Sequence, residues 1–194
     1  MKITESTEFF LMELRRRGYS ERTLDAYDFD LNKFAAFIGE KSREDVTNIE
    51  LSDLSDIDIK RWIDSSLAAG LTLKTVARRV ATIKSFFKFF YQEKLLETNP
   101  VDRIRLPKVP KRPPTALSQE EIRQLIAASE PEDRDYLLNR ALLVLMYSVG
   151  LRVSELASLK IENINFERRV ILIAGKGAKE RVVPLQDSVI KILL

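Results

Sequence analysis

The chain has 194 residues, enough for one large domain or two small ones at roughly 150 residues per domain, and 45% hydrophobic with 31% charged residues gives it the means to bury a core. No run approaches the ~18–20 apolar residues of a membrane span, MKITESTEFF has no secretory h-region, and the lack of any cysteine or histidine excludes disulfides, thiolate or imidazole chemistry and their metal sites. The formal net charge of +3 hides an uneven distribution: residues 1–59 hold eight basic and fourteen acidic residues, residues 60–105 ten basic and four acidic.

In chain order, Phe9, Phe10 and Leu14 before Gly18 predict a first helix. Ser20 is placed to cap a second, with Leu24, Tyr27, Leu31, Phe34 and Ile38 on one face and an end at Gly39. A third is predicted from about Asp56 through Ile59, Trp62, Ile63 and Leu67 to Gly70, and a fourth from near Thr72 to about Leu96. Four helices without a strand signal make a small helical bundle over residues 1–99. Five of the seven prolines then fall between Pro100 and Pro114. Proline lacks an amide donor and displaces its predecessor from the helical region, so residues 100–114 read as a semi-extended linker.

Beyond it, Ser118 with Glu121 three residues on marks a helix start. An apolar helix follows from Arg140 to Val149, ending at Gly150, and another begins near Val153. The period then changes: Ile161, Ile164 and Phe166, the run Val170 to Ile173, and Val182 to Leu185 predict three short strands joined by tight turns. QDSVIKILL begins a last helix.

Three constellations can carry chemistry. In the fourth helix, Val76, Val80, Ile83, Phe87 and Phe90 share one face, while Lys74, Arg78, Lys84 and Lys88 share an arc of roughly 120° opposite. From Leu73 to Gln92 there is no acidic residue. Such a face is either a solvated surface or a wall for DNA phosphates, and the absence of acids favours phosphates. The second constellation is Arg152, just after the helix-breaking Gly150; its planar fork suits two phosphate oxygens, or it simply pairs with Glu155. The third is Lys176 between Gly175 and Gly177, either an ammonium brought to a phosphate or an ordinary solubilising turn lysine.

GLRVSEL followed by GKGAKERVVPL resembles the tyrosine recombinase (phage integrase) family, close to its Xer-type members. Tyr19-Ser20-Glu21-Arg22-Thr23, KTVARRVATIKSFFKFF and NPVDRIRLPKVPKRPPTALSQEEI resemble the family's second helix start, fourth helix and linker, so the likeness covers nearly all of the chain. It implies a mainly α fold: an N-terminal four-helix SAM-like core-binding domain (1–99), a Pro-rich linker (100–114), and the first part of an α+β catalytic domain (115–194) with a small three-stranded antiparallel sheet. It also implies a clamp around double-stranded DNA, with self-association as dimer or tetramer on DNA in the full-length protein. The lack of cysteines and of a secretory signal points most simply to the cytoplasm. For the site it implies that Arg152 binds the scissile phosphate, Lys176 acts as general acid and Glu155 supports them, with no metal or cofactor. Arg22, Thr23, Lys74, Thr75, Arg78, Arg79, Lys84, Lys88 and Arg181 would contact DNA.

The departures define the remaining expectation. The family's later His/Arg region and C-terminal nucleophilic tyrosine have no counterpart. Tyr19, Tyr27, Tyr91, Tyr136 and Tyr147 all precede Lys176. The chain therefore reads as the first two-thirds of a site-specific recombinase, inactive in cleavage by itself. The competing reading is a truncated, non-catalytic relative that occupies recombination sites.

Overall fold

The computed structural model describes residues 1–105, 110, 115–128, 135–175 and 180–194. The chain forms two compact units, Met1–Arg112 and Pro113–Leu194.

The first unit is built from α1 (Ile3–Arg16), α2 (Glu21–Ser42), α3 (Asp56–Ala68) and α4 (Leu73–Gln92), with two 3-10 turns at Val46–Asn48 and Leu51–Asp53. Its core is aromatic. Phe10, Phe34, Phe86, Phe87 and Phe90 are fully buried, with edge-on pairs such as Phe86–Phe90 at 5.1 Å and Phe34–Trp62 at 5.3 Å. That geometry sets a ring's positive edge against its neighbour's negative face. The four predicted helices are present.

Three of the helix ends share one device. After α1, Tyr19 N–H donates to Leu14 and Gly18 N–H to Arg15; after α3, Leu71 to Ser66 and Gly70 to Leu67; after α4, Leu95 to Phe90 and Lys94 to Tyr91. This pair of hydrogen bonds to the last carbonyls needs a left-handed residue, and Gly18 (φ 77°), Gly70 (φ 79°) and Lys94 (φ 59°) supply it.

Two expectations for the first unit need correction. Gly39 does not end α2, which continues to Ser42. It is there for closeness: a Cβ at position 39 would lie 2.6 Å from Val46 Cγ1, so its lack of a side chain lets the following turn pack against the helix. Nor does the chain leave the first unit at residue 99. Val101 and Ile104 are buried in its core, and Lys84 Nζ donates to the Ile104 carbonyl at 2.7 Å. Proline forbids a helix there without preventing two apolar side chains, three residues apart, from anchoring the turn they flank. Of the remaining predicted linker, residues 106–109 and 111–114 lie outside the described residues.

The second unit contains α5 (Gln119–Ala127), α6 (Tyr136–Val149), α7 (Val153–Ala157) and α8 (Asp187–Leu193), with β1 (Ile164–Asn165), β2 (Val170–Ala174) and β3 (Glu180–Pro184) in an antiparallel sheet of order β1-β2-β3. Ser118 and Glu121 form the predicted capping box. Ile161 is in a 3-10 turn rather than in a strand. In β2, Ile171 and Ile173 point to the core and pack with Val144, Leu145, Leu151, Leu185 and Val189, as period-two alternation requires. Only Val144 and Leu145 of α6 are buried, although the helix is apolar nearly all round; Leu137, Leu138, Met146 and Tyr147 are exposed. Among the described residues no helix is long and apolar enough to cross a membrane.

Candidate functional site

In the second unit the site is assembled at the start of α7. Gly150 closes α6 in the left-handed conformation (φ 67°), its N–H donating to Met146, and Leu151 is buried, which fixes the exit of the chain. Arg152 is then the residue immediately before α7. Its backbone N–H donates to Glu155 Oε2 at 2.8 Å and its Nη1 to Oε1 at 2.7 Å.

The second clamp on that carboxylate comes from β3. Arg181, opposite Ile173 in the sheet register, donates from Nη1 to Oε1 at 2.8 Å and from Nη2 to Oε2 at 2.9 Å. Each Glu155 oxygen thus accepts two hydrogen bonds. The bidentate Arg181 fork, then the Arg152 backbone amide and side chain, pull the carboxyl down to about 2 from its ordinary 4.5. The same pairing raises Arg181.

The three members differ in exposure: 5% for the Glu155 side chain, 39% for Arg181 and 75% for Arg152. Glu155 anchors, Arg181 is largely committed to it, and Arg152 offers the rest of its guanidinium to solvent. The two alternatives for Arg152 are therefore compatible, since one nitrogen holds Glu155 and the other donors are free for an anion. The Arg181–Glu155 pairing, across 26 positions of sequence, was not foreseen. Lys176 lies outside the described residues. β2 and β3 are paired up to Ala174 and from Glu180 on either side of it.

In the first unit, the basic residues of α4 divide into three groups. Lys74 and Lys88 are exposed. Lys84, at the edge of the stripe nearest Val80, is half-buried and holds Ile104. Arg78 and Arg79 converge on Asp30 of α2, which is fully buried. Arg78 donates to it at 2.5 and 2.9 Å, and Thr82 Oγ1 donates to it at 3.0 Å. Arg79 Nε lies 3.7 Å from the same carboxylate, and its guanidinium sits 5.8 Å from the ring centre of Phe29. Lys33 approaches that exposed ring at 5.6 Å. Thr75 is tied to Thr72, whose hydroxyl caps α4, and the Thr23 hydroxyl is 2.8 Å from that of Ser20 beside the exposed Arg22. Asp30, Thr82 and Phe29 escaped the sequence reading because their partners are some fifty residues away on another helix, and Lys33 because its one contact here is the exposed Phe29 ring a turn earlier on α2. Among the described residues no cluster of three or more acidic side chains could hold a metal ion.

Residues 115–194 match the phage integrase family, and residues 7–94 match the phage integrase N-terminal SAM-like domain. The chain belongs to this family, the tyrosine recombinases. It is 35% identical over 190 residues to a tyrosine recombinase of Pseudothermotoga lettingae, covering 96% of this chain and 62% of the relative. It is 33% identical over 191 residues to the tyrosine recombinase XerD of Staphylococcus haemolyticus, covering 98% and 62%. The chain thus spans about 62% of the length of these curated relatives. Among solved structures, a lambda integrase (75-356) dimer bound to a COC′ core site shares the fold, with a TM-score of 0.76 at 19% identity over 100% of this chain and 68% of that one.

Proposed function

We propose that this chain supplies the DNA-binding domain and part of the active site of a site-specific DNA recombinase, acting in the cytoplasm on double-stranded DNA without a cofactor. The observation that carries this reading is Arg152. Its guanidinium is braced from below by Glu155, which Arg181 clamps in turn, while most of its donors face solvent at the position where the family resemblance puts the phosphate-binding arginine. A planar cation held in this way suits a phosphate whose negative charge grows in the transition state.

In the full-length protein a tyrosine oxygen would attack the scissile phosphorus, and the bond to the 5′ oxygen would break as Lys176 gives that oxygen a proton. The 3′-phosphotyrosine keeps the bond energy for rejoining, so no nucleotide is consumed. Arg181 acts chiefly through Glu155. Lys74, Lys88, Arg22 and the outward edge of Arg78 would hold phosphates along the duplex, with Thr23, Thr75, Arg79 and Lys84 ordering that surface. Dimers or tetramers on DNA belong to the longer protein.

The test uses the 194-residue chain and a nicked suicide duplex. Salt-dependent binding without any covalent adduct is the expected result, and Lys74→Ala and Lys88→Ala should each flatten the salt dependence by about one unit of slope. An absence of binding, or an adduct at any of the five tyrosines, would overturn the proposal.

A further inference from the structure

We infer that Asp30 is a positioning residue for DNA binding, a buried carboxylate that fixes the arginines of α4 from beneath. The inference rests on the DNA-binding reading above. Asp30 is 0% exposed, and no other charged residue is buried among the described residues of the first unit. A carboxylate there is costly to desolvate, and a buried ion pair is often no more stable than an apolar replacement of similar size. Stability alone therefore gives little reason for it. Its visible consequence is the placement of two cations.

Both oxygens of Asp30 are engaged. Oδ2 accepts from Arg78 Nη1 and Thr82 Oγ1, and Oδ1 from Arg78 Nη2, with Arg79 Nε nearby at 3.7 Å. The fork of Arg78 is anchored along one edge, yet its side chain is 50% exposed, so its remaining N–H groups face outward. Arg79 is held between Asp30 and the face of Phe29. A free arginine on a helix gives up much rotamer freedom when it grips a phosphate, and one fixed beforehand gives up less.

This role makes a prediction opposite in sign to simple electrostatics. Asp30→Asn removes one negative charge and so raises the net charge by one; if Asp30 only dampened the local potential, the variant would bind DNA more tightly. Positioning requires weaker binding, by roughly five- to tenfold, with a salt slope lower by about one. Thr82→Val removes one of the restraining hydrogen bonds without changing any charge, and should shift affinity the same way by less. It serves also if Asp30→Asn fails to fold, which a thermal melt with circular dichroism shows. Titrating a fluorescent duplex at several salt concentrations reads all of these outcomes. Binding that depends on Lys74 and Lys88 but is unchanged or tightened in folded Asp30→Asn, or untouched by Thr82→Val, would overturn the inference alone. A wild-type chain that does not bind duplex DNA would overturn the DNA-binding reading as well.

Discussion

At the scale of single residues, Glu155 concentrates the most interaction in the fewest atoms, and it should report on acid. Its folded carboxyl titrates at about 2 against an ordinary 4.5, so it releases its proton more readily in the folded chain than in the unfolded one. The stability it contributes is then complete above about pH 4.5 and is lost as the pH falls towards 2. Glu155→Gln should melt lower than the wild type at pH 7, and the gap should close on acidification through that window. Parallel melting curves that keep a constant gap down to pH 2 would show that the carboxylate's charge is not what matters. Sequence spacing made the Arg152–Glu155 pair legible, because three residues apart is one helical turn. It could not reveal Arg181, since that contact depends on how a hairpin folds back on α7.

Individual elements offer sharper stability tests. Lys94 occupies the place in the α4 ending that glycine takes after α1 and α3. A left-handed conformation costs a side-chain-bearing residue roughly 1–2 kcal/mol, partly offset by the greater freedom glycine loses on folding. Lys94→Gly should therefore stabilise the chain by about 0.5–1 kcal/mol, visible as a raised denaturant midpoint. Gly39→Ala should do the reverse, although alanine is the better helix former. The new methyl would meet Val46 Cγ1, a branched side chain with little room to turn, and overpacking of this kind costs about 1–3 kcal/mol. The helices were legible in outline because α1 to α4 carry clear apolar stripes. What Gly39 does was not: a glycine at a close approach and a glycine at a helix end look alike in sequence. In α4 the acid-free stripe was likewise plain, but the inward engagement of Arg78 and Lys84 required knowing what packs beside them.

For the molecule as a whole, the two units enclose separate apolar clusters of unequal size, the first rich in fully buried aromatic rings and the second built around the sheet. Calorimetry should accordingly resolve two transitions, the smaller cluster melting first, and Phe87→Ala should lower only the upper one; a single transition for both would contradict this. The exposed side of α6 has a different kind of consequence. Its leucines, with Leu194 just beyond α8, turn part of the second unit towards water as an oily surface. Folding strength and shelf life then become separate properties. A well-folded solution of the chain should still be a poor colloid, clouding early in ammonium sulfate, brightening apolar dyes and clearing again in mild detergent.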